Sequence, residues 1–143
     1  MNVLIDTNII LDDILNRGNN ALLARKINSM SADGLINSYI TANSVTDIFY
    51  IVSESLDKGT AKKVIRNLLI SYNVVSVSGQ DCLDALNLEM DDYEDALTAT
   101  CAGKANLNYI VTSDKLLLKE TALSVLPISP TDFIVELAGI QNF

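Results

Sequence analysis

The 143-residue sequence contains no histidine. That removes Ser-His-Asp and Cys-His catalysis, histidine general bases and the zinc motifs that need an imidazole. Hydrolytic chemistry on this chain must therefore run on carboxylates, on metal or on both. Cysteine is scarce as well: Cys82 and Cys101 sit inside apolar helical patterns with no Cys-x-x-Cys spacing, and they read as buried free thiols. Both prolines, Pro127 and Pro130, fall near the end, and no Gly/Ser-rich or repeated stretch divides the chain, so no linker is expected. Dinucleotide and P-loop glycine patterns are missing, which excludes the commonest nucleotide cofactor sites.

Long apolar runs are missing too, none approaching the roughly 20 residues needed to cross a bilayer. The first residues lack a positive segment and are soon interrupted by Asp6, Asp12 and Asp13, unlike a signal peptide. A cytoplasmic protein without membrane association is expected. Basic charge is the last scarcity: 10 Lys and Arg stand against 18 Asp and Glu, a net charge of −8. This argues against a broadly basic surface that grips nucleic acid.

What is present is a composition of 49% apolar and 20% charged residues, that of a globular protein, at a length suited to one domain spanning residues 1–143. Short β-branched runs alternate with longer helical patterns. Strands are expected at Asn2–Ile5, Leu35–Ser38, Val74–Val77, Tyr109–Thr112 and near Val125. Helices are expected up to about Ser31, at Thr41–Ser55, Thr60–Tyr72, Gln80–Leu88 and Tyr93–Lys104, with a short one after the fourth strand and a last one after Pro130. In Thr60–Tyr72 the apolar residues Ala61, Val64, Ile65, Leu68, Leu69 and Tyr72 share one face, opposite Lys62, Lys63 and Arg66. Strands such as Val3-Leu-Ile are apolar without alternation, as strands covered on both faces are. The pattern predicts an α/β fold, a three-layer α/β/α sandwich around a mostly parallel sheet. Ligands of such sheets bind beyond the carboxyl ends of the strands.

Asp6 directly follows the first strand, and Asp114 follows the fourth after one serine. Each also reads as a helix N-cap. Asp47 borders the apolar stripe Val45, Ile48, Phe49 and Val52 of its helix, one turn from Asn43; a solvated flank is the bland alternative. Asp91-Asp-Tyr-Glu-Asp opens a helix rich in Ala, Thr, Cys and Gly. Acids there suit the helix dipole, yet the small residues imply close packing on the sheet, with Asp95 near the crevice and Asp91 and Asp92 as second ligands. Carboxylates that converge repel one another unless a cation neutralises them. All-oxygen ligands favour Mg²⁺ or Mn²⁺, ions that orient and deprotonate water and stabilise charge on an attacked phosphate.

Four segments in order, Asp6-Thr-Asn-Ile-Ile-Leu-Asp, Ile40-Thr-Ala-Asn-Ser-Val-Thr-Asp-Ile, Asp92-Tyr-Glu-Asp-Ala-Leu and Val111-Thr-Ser-Asp, resemble those of PIN-domain nucleases over nearly the whole chain. The resemblance implies an α/β/α sandwich that cleaves single-stranded RNA with Mg²⁺ or Mn²⁺. It also implies a homodimer and, for VapC-like toxins, a small antitoxin partner. Carried over, Asp6, Asp47, Asp95 and Asp114 are catalytic metal ligands supported by Asp92, and Asn8 and Thr112 orient them. The second acid of the family is usually Glu, and the aromatic that often follows the last motif is replaced by Lys115-Leu-Leu-Leu. The alternative within the family is a weak or inactive scaffold that binds protein or RNA. A dehalogenase-type phosphatase needs Asp where Asn8 stands, and a receiver domain needs Asp where Ser78-Gly79 follow the third strand. The basic face of Lys62, Lys63 and Arg66 is expected to guide RNA, against the plainer reading of a solvated face.

Overall fold

The computed structural model describes residues 1–141. Five strands, β1 (Asn2–Ile5), β2 (Asn37–Thr41), β3 (Tyr72–Val75), β4 (Tyr109–Val111) and β5 (Leu126–Ile128), form one sheet in the order β3-β2-β1-β4-β5. Every pairing is parallel. Eight helices connect and follow them: α1 (Thr7–Ile14), α2 (Ala21–Ala32), α3 (Ala42–Ser55), α4 (Lys58–Ser71), α5 (Gly79–Ala85), α6 (Tyr93–Lys104), α7 (Lys115–Leu118) and α8 (Pro130–Gln141).

Alternating side chains of β1 feed two cores. Val3 and Ile5 pack with Ile9, Ile10, Ile27, Ile48 and Phe133 from α1, α2, α3 and α8, whereas Leu4 packs with Ala99, Ala102 and Leu117 from α6 and α7. The sheet is thus covered on both faces, which explains the apolar runs Val3-Leu-Ile of β1 and Ile110-Val of β4. Small residues on α6 bring that helix close to the sheet and, with it, the acidic residues of its first turn.

Several element boundaries differ from the expectation. β2 starts at Asn37 because α2 ends in a Schellman motif, with Gly34 at φ +73°, Gly34 N–H on the Ser31 carbonyl and Leu35 N–H on that of Met30. Leu35 is thereby committed to the helix end. α4 starts at Lys58 because Asp57 caps it, accepting from Thr60 N at 2.7 Å. Tyr72 leaves that helix to open β3, which runs straight on from α4 and stops at Val75. Leu69, expected on the packed face of α4, is 47% exposed. α5 is shorter than expected, held by a reciprocal cap between Ser78 and Asp81. β5 holds Pro127 because it is an edge strand paired with β4 alone.

Candidate active site

At the carboxyl ends of the strands the order reverses between β1 and β4, since the chain leaves β1 toward β2 on one side while β4 lies on the other. Such a switch point opens a crevice. One of about 410 Å³ lies here, lined by the acids Asp6, Asp47, Glu54, Asp92, Glu94, Asp95 and Asp114 together with Asn8 and Tyr50.

Each acid has its own support. Parallel register pairs Ile5 with Val111, and Asp6 N–H continues the ladder to the Val111 carbonyl at 2.9 Å, so Asp6 falls beside Thr112. The buried Thr112 hydroxyl donates to Asp6 Oδ2 at 2.7 Å and accepts from Asp114 N–H at 3.0 Å. Although Asp6 stands at the N-cap position of α1, its side chain makes no capping bond. Asp114 does cap: its Oδ1 accepts from Leu116 N at 2.8 Å and Leu117 N at 3.3 Å. Asp92 likewise caps α6 through Asp95 N–H at 3.1 Å. Capping and site geometry therefore coincide at Asp92 and Asp114, and the cap fixes where the carboxylate sits.

Asp47 is brought in by α3, whose start is tied to the β1–α1 junction by buried hydroxyls. Thr7 Oγ1 donates to Ser44 Oγ at 2.9 Å, and Ser44 Oγ is 2.9 Å from Thr41 Oγ1. Asn8 lines the crevice and makes no side-chain bond to these acids among the described residues. Asp91 faces a neighbouring cavity instead of the crevice. Lys62, Lys63 and Arg66 are exposed on α4 and do not line the crevice.

Glu54 and Glu94 were not expected from the residues alone, and both line the crevice. The signal was available: Glu94 and Asp47 are both acids at the crevice-facing ends of their helices, but the rotation of α6 that turns Glu94 inward comes only from packing.

The acids press on one another. Burial raises the Asp95 carboxyl to about 7, helped by Asp92, Asp114, Asp6 and Glu94. Asp6 is raised by burial, opposed by the Thr112 hydrogen bond and reinforced by Asp114 and Asp92. Glu94 is raised by burial and then by Asp47, Asp92 and Asp6. Among the described residues no three acids are gathered closely enough to enclose an ion as they stand. Partly buried like charges disfavour ionisation, and a bound cation would offset that. The donor set is all oxygen, the set that hard divalent ions take.

The family model of the PIN domain matches residues 2–116. The chain belongs to the PIN-domain family. No curated protein matches this PIN domain. Its fold is similar to that of VapBC2 from Rickettsia felis bound to a DNA fragment from its promoter, with 16% identity, 90% of this chain and 98% of that chain covered, and a TM-score of 0.66. VapBC-1 from nontypeable Haemophilus influenzae is similar at 19% identity, with 92% and 99% covered and a TM-score of 0.65. VapC20 from Mycobacterium tuberculosis, a sarcin-ricin loop cleaving toxin, is similar at 11% identity, with 79% and 90% covered and a TM-score of 0.64. At such identities the likeness is one of fold. Among the described residues, no helix of the PIN domain is long and apolar enough to cross a membrane.

Proposed function

We propose that this PIN domain is a metal-dependent endoribonuclease that hydrolyses phosphodiester bonds of single-stranded RNA, acting in the cytoplasm as the toxin of a toxin–antitoxin pair. The observation that carries the reading is the crevice itself: mutually repelling carboxylates at a switch point, with Asp95 raised to about 7. Such a site repels a phosphodiester until a cation intervenes. Asp6, Asp95 and Asp114 are the proposed ligands of Mg²⁺ or Mn²⁺, with Asp47 and Asp92 reaching through water and Glu94 joining them. The ion supplies Lewis acidity and lowers the pKa of water when bound. The chain's own part is to hold the carboxylates: Thr112 orients Asp6, and the helix caps fix Asp92 and Asp114. Asn8, which lines the crevice, is proposed to orient the acidic ligands once the ion is bound. The VapBC complexes among the similar folds support a small antitoxin protein as partner, and the resemblance supports a homodimer.

The test is cleavage of single-stranded RNA with Mn²⁺, Mg²⁺ or EDTA by the native chain, Asp6→Asn and Asp95→Asn. Cleavage is expected with either ion, abolished by EDTA, and reduced at least about 100-fold in either variant. Cleavage surviving EDTA and both substitutions would reject the proposal. The net charge of −8 and Asp47 at a position the family usually fills with Glu favour a second reading, a scaffold that binds protein or RNA without cutting. Absence of cleavage together with no Mn²⁺ binding by the native chain would select it.

A further inference from the structure

A second cavity, of about 200 Å³, adjoins the acidic crevice and shares two of its walls, Asp92 and Asp95. Met90, Leu116 and Leu117 give it a more apolar surface than the crevice has, Asp91 and Glu120 add two acids, and Lys119 is its one cation among the described residues. Leu116 is 70% exposed. It stands at the start of α7, where the sheet core is already filled by the buried Leu117, so packing gives no reason for a large apolar side chain there.

We propose that this cavity seats the nucleobase of the nucleotide next to the scissile phosphate; the inference rests on the nuclease reading above. A strand whose phosphate lies among the acids must place its neighbouring base to one side or the other. On this side the walls are apolar, and the thioether of a methionine is a favourable neighbour for a ring. The volume suits one splayed heterocycle and not a base pair, in keeping with recognition of unpaired RNA. Lys119 supplies the charge that an adjoining phosphate needs, which the acidic crevice lacks. Asp91 and Glu120 also line the cavity, and carboxylates accept hydrogen bonds but donate none. An unpaired guanine offers a carboxylate two adjacent donors, N1–H and N2–H, whereas adenine and cytosine offer only an amino group and uracil only N3–H, so these acids favour guanine.

The test is cleavage of a random-sequence single-stranded oligoribonucleotide pool with Mn²⁺, with the product ends sequenced, and kinetics on one good substrate. The native chain is expected to favour guanine at one position flanking the cut by about fivefold or more. Glu120→Gln, which gains a donor, is expected to bring that ratio below about twofold. Leu116→Ala is expected to raise KM about fivefold with kcat within about twofold, and Leu116→Met to restore KM. Leu116 is exposed, so its truncation does not endanger folding. Native cleavage with base preference and KM unchanged in both variants overturns this inference and leaves the nuclease reading standing. A fall in kcat equal to the loss in kcat/KM overturns it too, as a structural effect. No native cleavage with either ion overturns both.

Discussion

The Thr112 hydroxyl bridges the ends of two strands, donating to Asp6 Oδ2 at 2.7 Å while receiving Asp114 N–H at 3.0 Å. One oxygen thus sets the position of two of the crevice's acids. Thr112→Val keeps the shape and removes that oxygen. Asp6 loses the bond that lowers its pKa, and the part-buried Asp114 N–H loses its partner. Stability is expected to fall by about 1–3 kcal/mol and Mn²⁺ affinity by about 10- to 100-fold, with Thr112→Ser close to native. Thermal melts and Mn²⁺ titration check this; native affinity in the valine variant would sink it.

Because the folded-state pKa of Asp95 is raised from 3.8 to about 7, the fold favours its protonated form. That contribution to stability is fully present below about pH 4 and is lost as pH rises through 7. In EDTA, Asp95→Asn is therefore expected to melt higher than the native chain at pH 8 and alike at pH 4. Added Mn²⁺ should raise the native melting temperature alone. A lower melting temperature for the variant at pH 8 in EDTA contradicts the account.

Asp81 and Lys104 form an ion pair at 2.5 Å, and Lys104 also bonds the Ser76 carbonyl at 2.9 Å. The lysine, the Ser78 backbone and the Ser78 hydroxyl hold Asp81 below the usual carboxylate range. Its stabilisation is present above the unfolded value of 3.8 and is lost as pH falls through the lowered folded value. Lys104→Met is expected to shift acid unfolding to higher pH, read by urea midpoints between pH 2 and 6. Coincident acid limbs would show the pair to be inert.

Reversing Lys62, Lys63 and Arg66 to Glu tests whether α4 guides RNA. Each lost phosphate contact is worth about 0.7 in the slope of log affinity against log salt for single strands, so the slope is expected to fall by up to about 2. An unchanged slope returns these residues to an ordinary solvated face.

Phe133 is fully buried and meets the Tyr109 ring edge-on, with centroids 6.5 Å apart. It is the main side chain by which α8 grips the sheet. Phe133→Ala is expected to cost about 3–5 kcal/mol, measured by urea unfolding. A cost below 1 kcal/mol would mean that α8 is dispensable to the core.

Much of this was legible in the residues alone. The alternation of short apolar strands with longer amphipathic helices specified a helix-covered parallel sheet, and α6 was placed at Tyr93–Lys104, as observed. Boundaries slipped where a local bond overrode the pattern, as at Gly34, where the helix cap consumed the first residues expected in β2. The acid-rich segments were visible, but their partners were not: Glu94 looked like any acid at a helix start, and the hydroxyl chain Thr7–Ser44–Thr41 looked like ordinary polar residues.

The amino-acid order by itself determined which chemistry is possible, because a chain without histidine and with acids at its strand ends has only carboxylates to offer. It also determined the elements, since hydrophobic period and capping act over a few residues. Only the tertiary structure decided which acids share a crevice. Asp6 and Thr112 are 106 positions apart, and what joins them is the register of β1 on β4, while the packing of small residues on α6 brings in Asp95; no local stretch of sequence displays either.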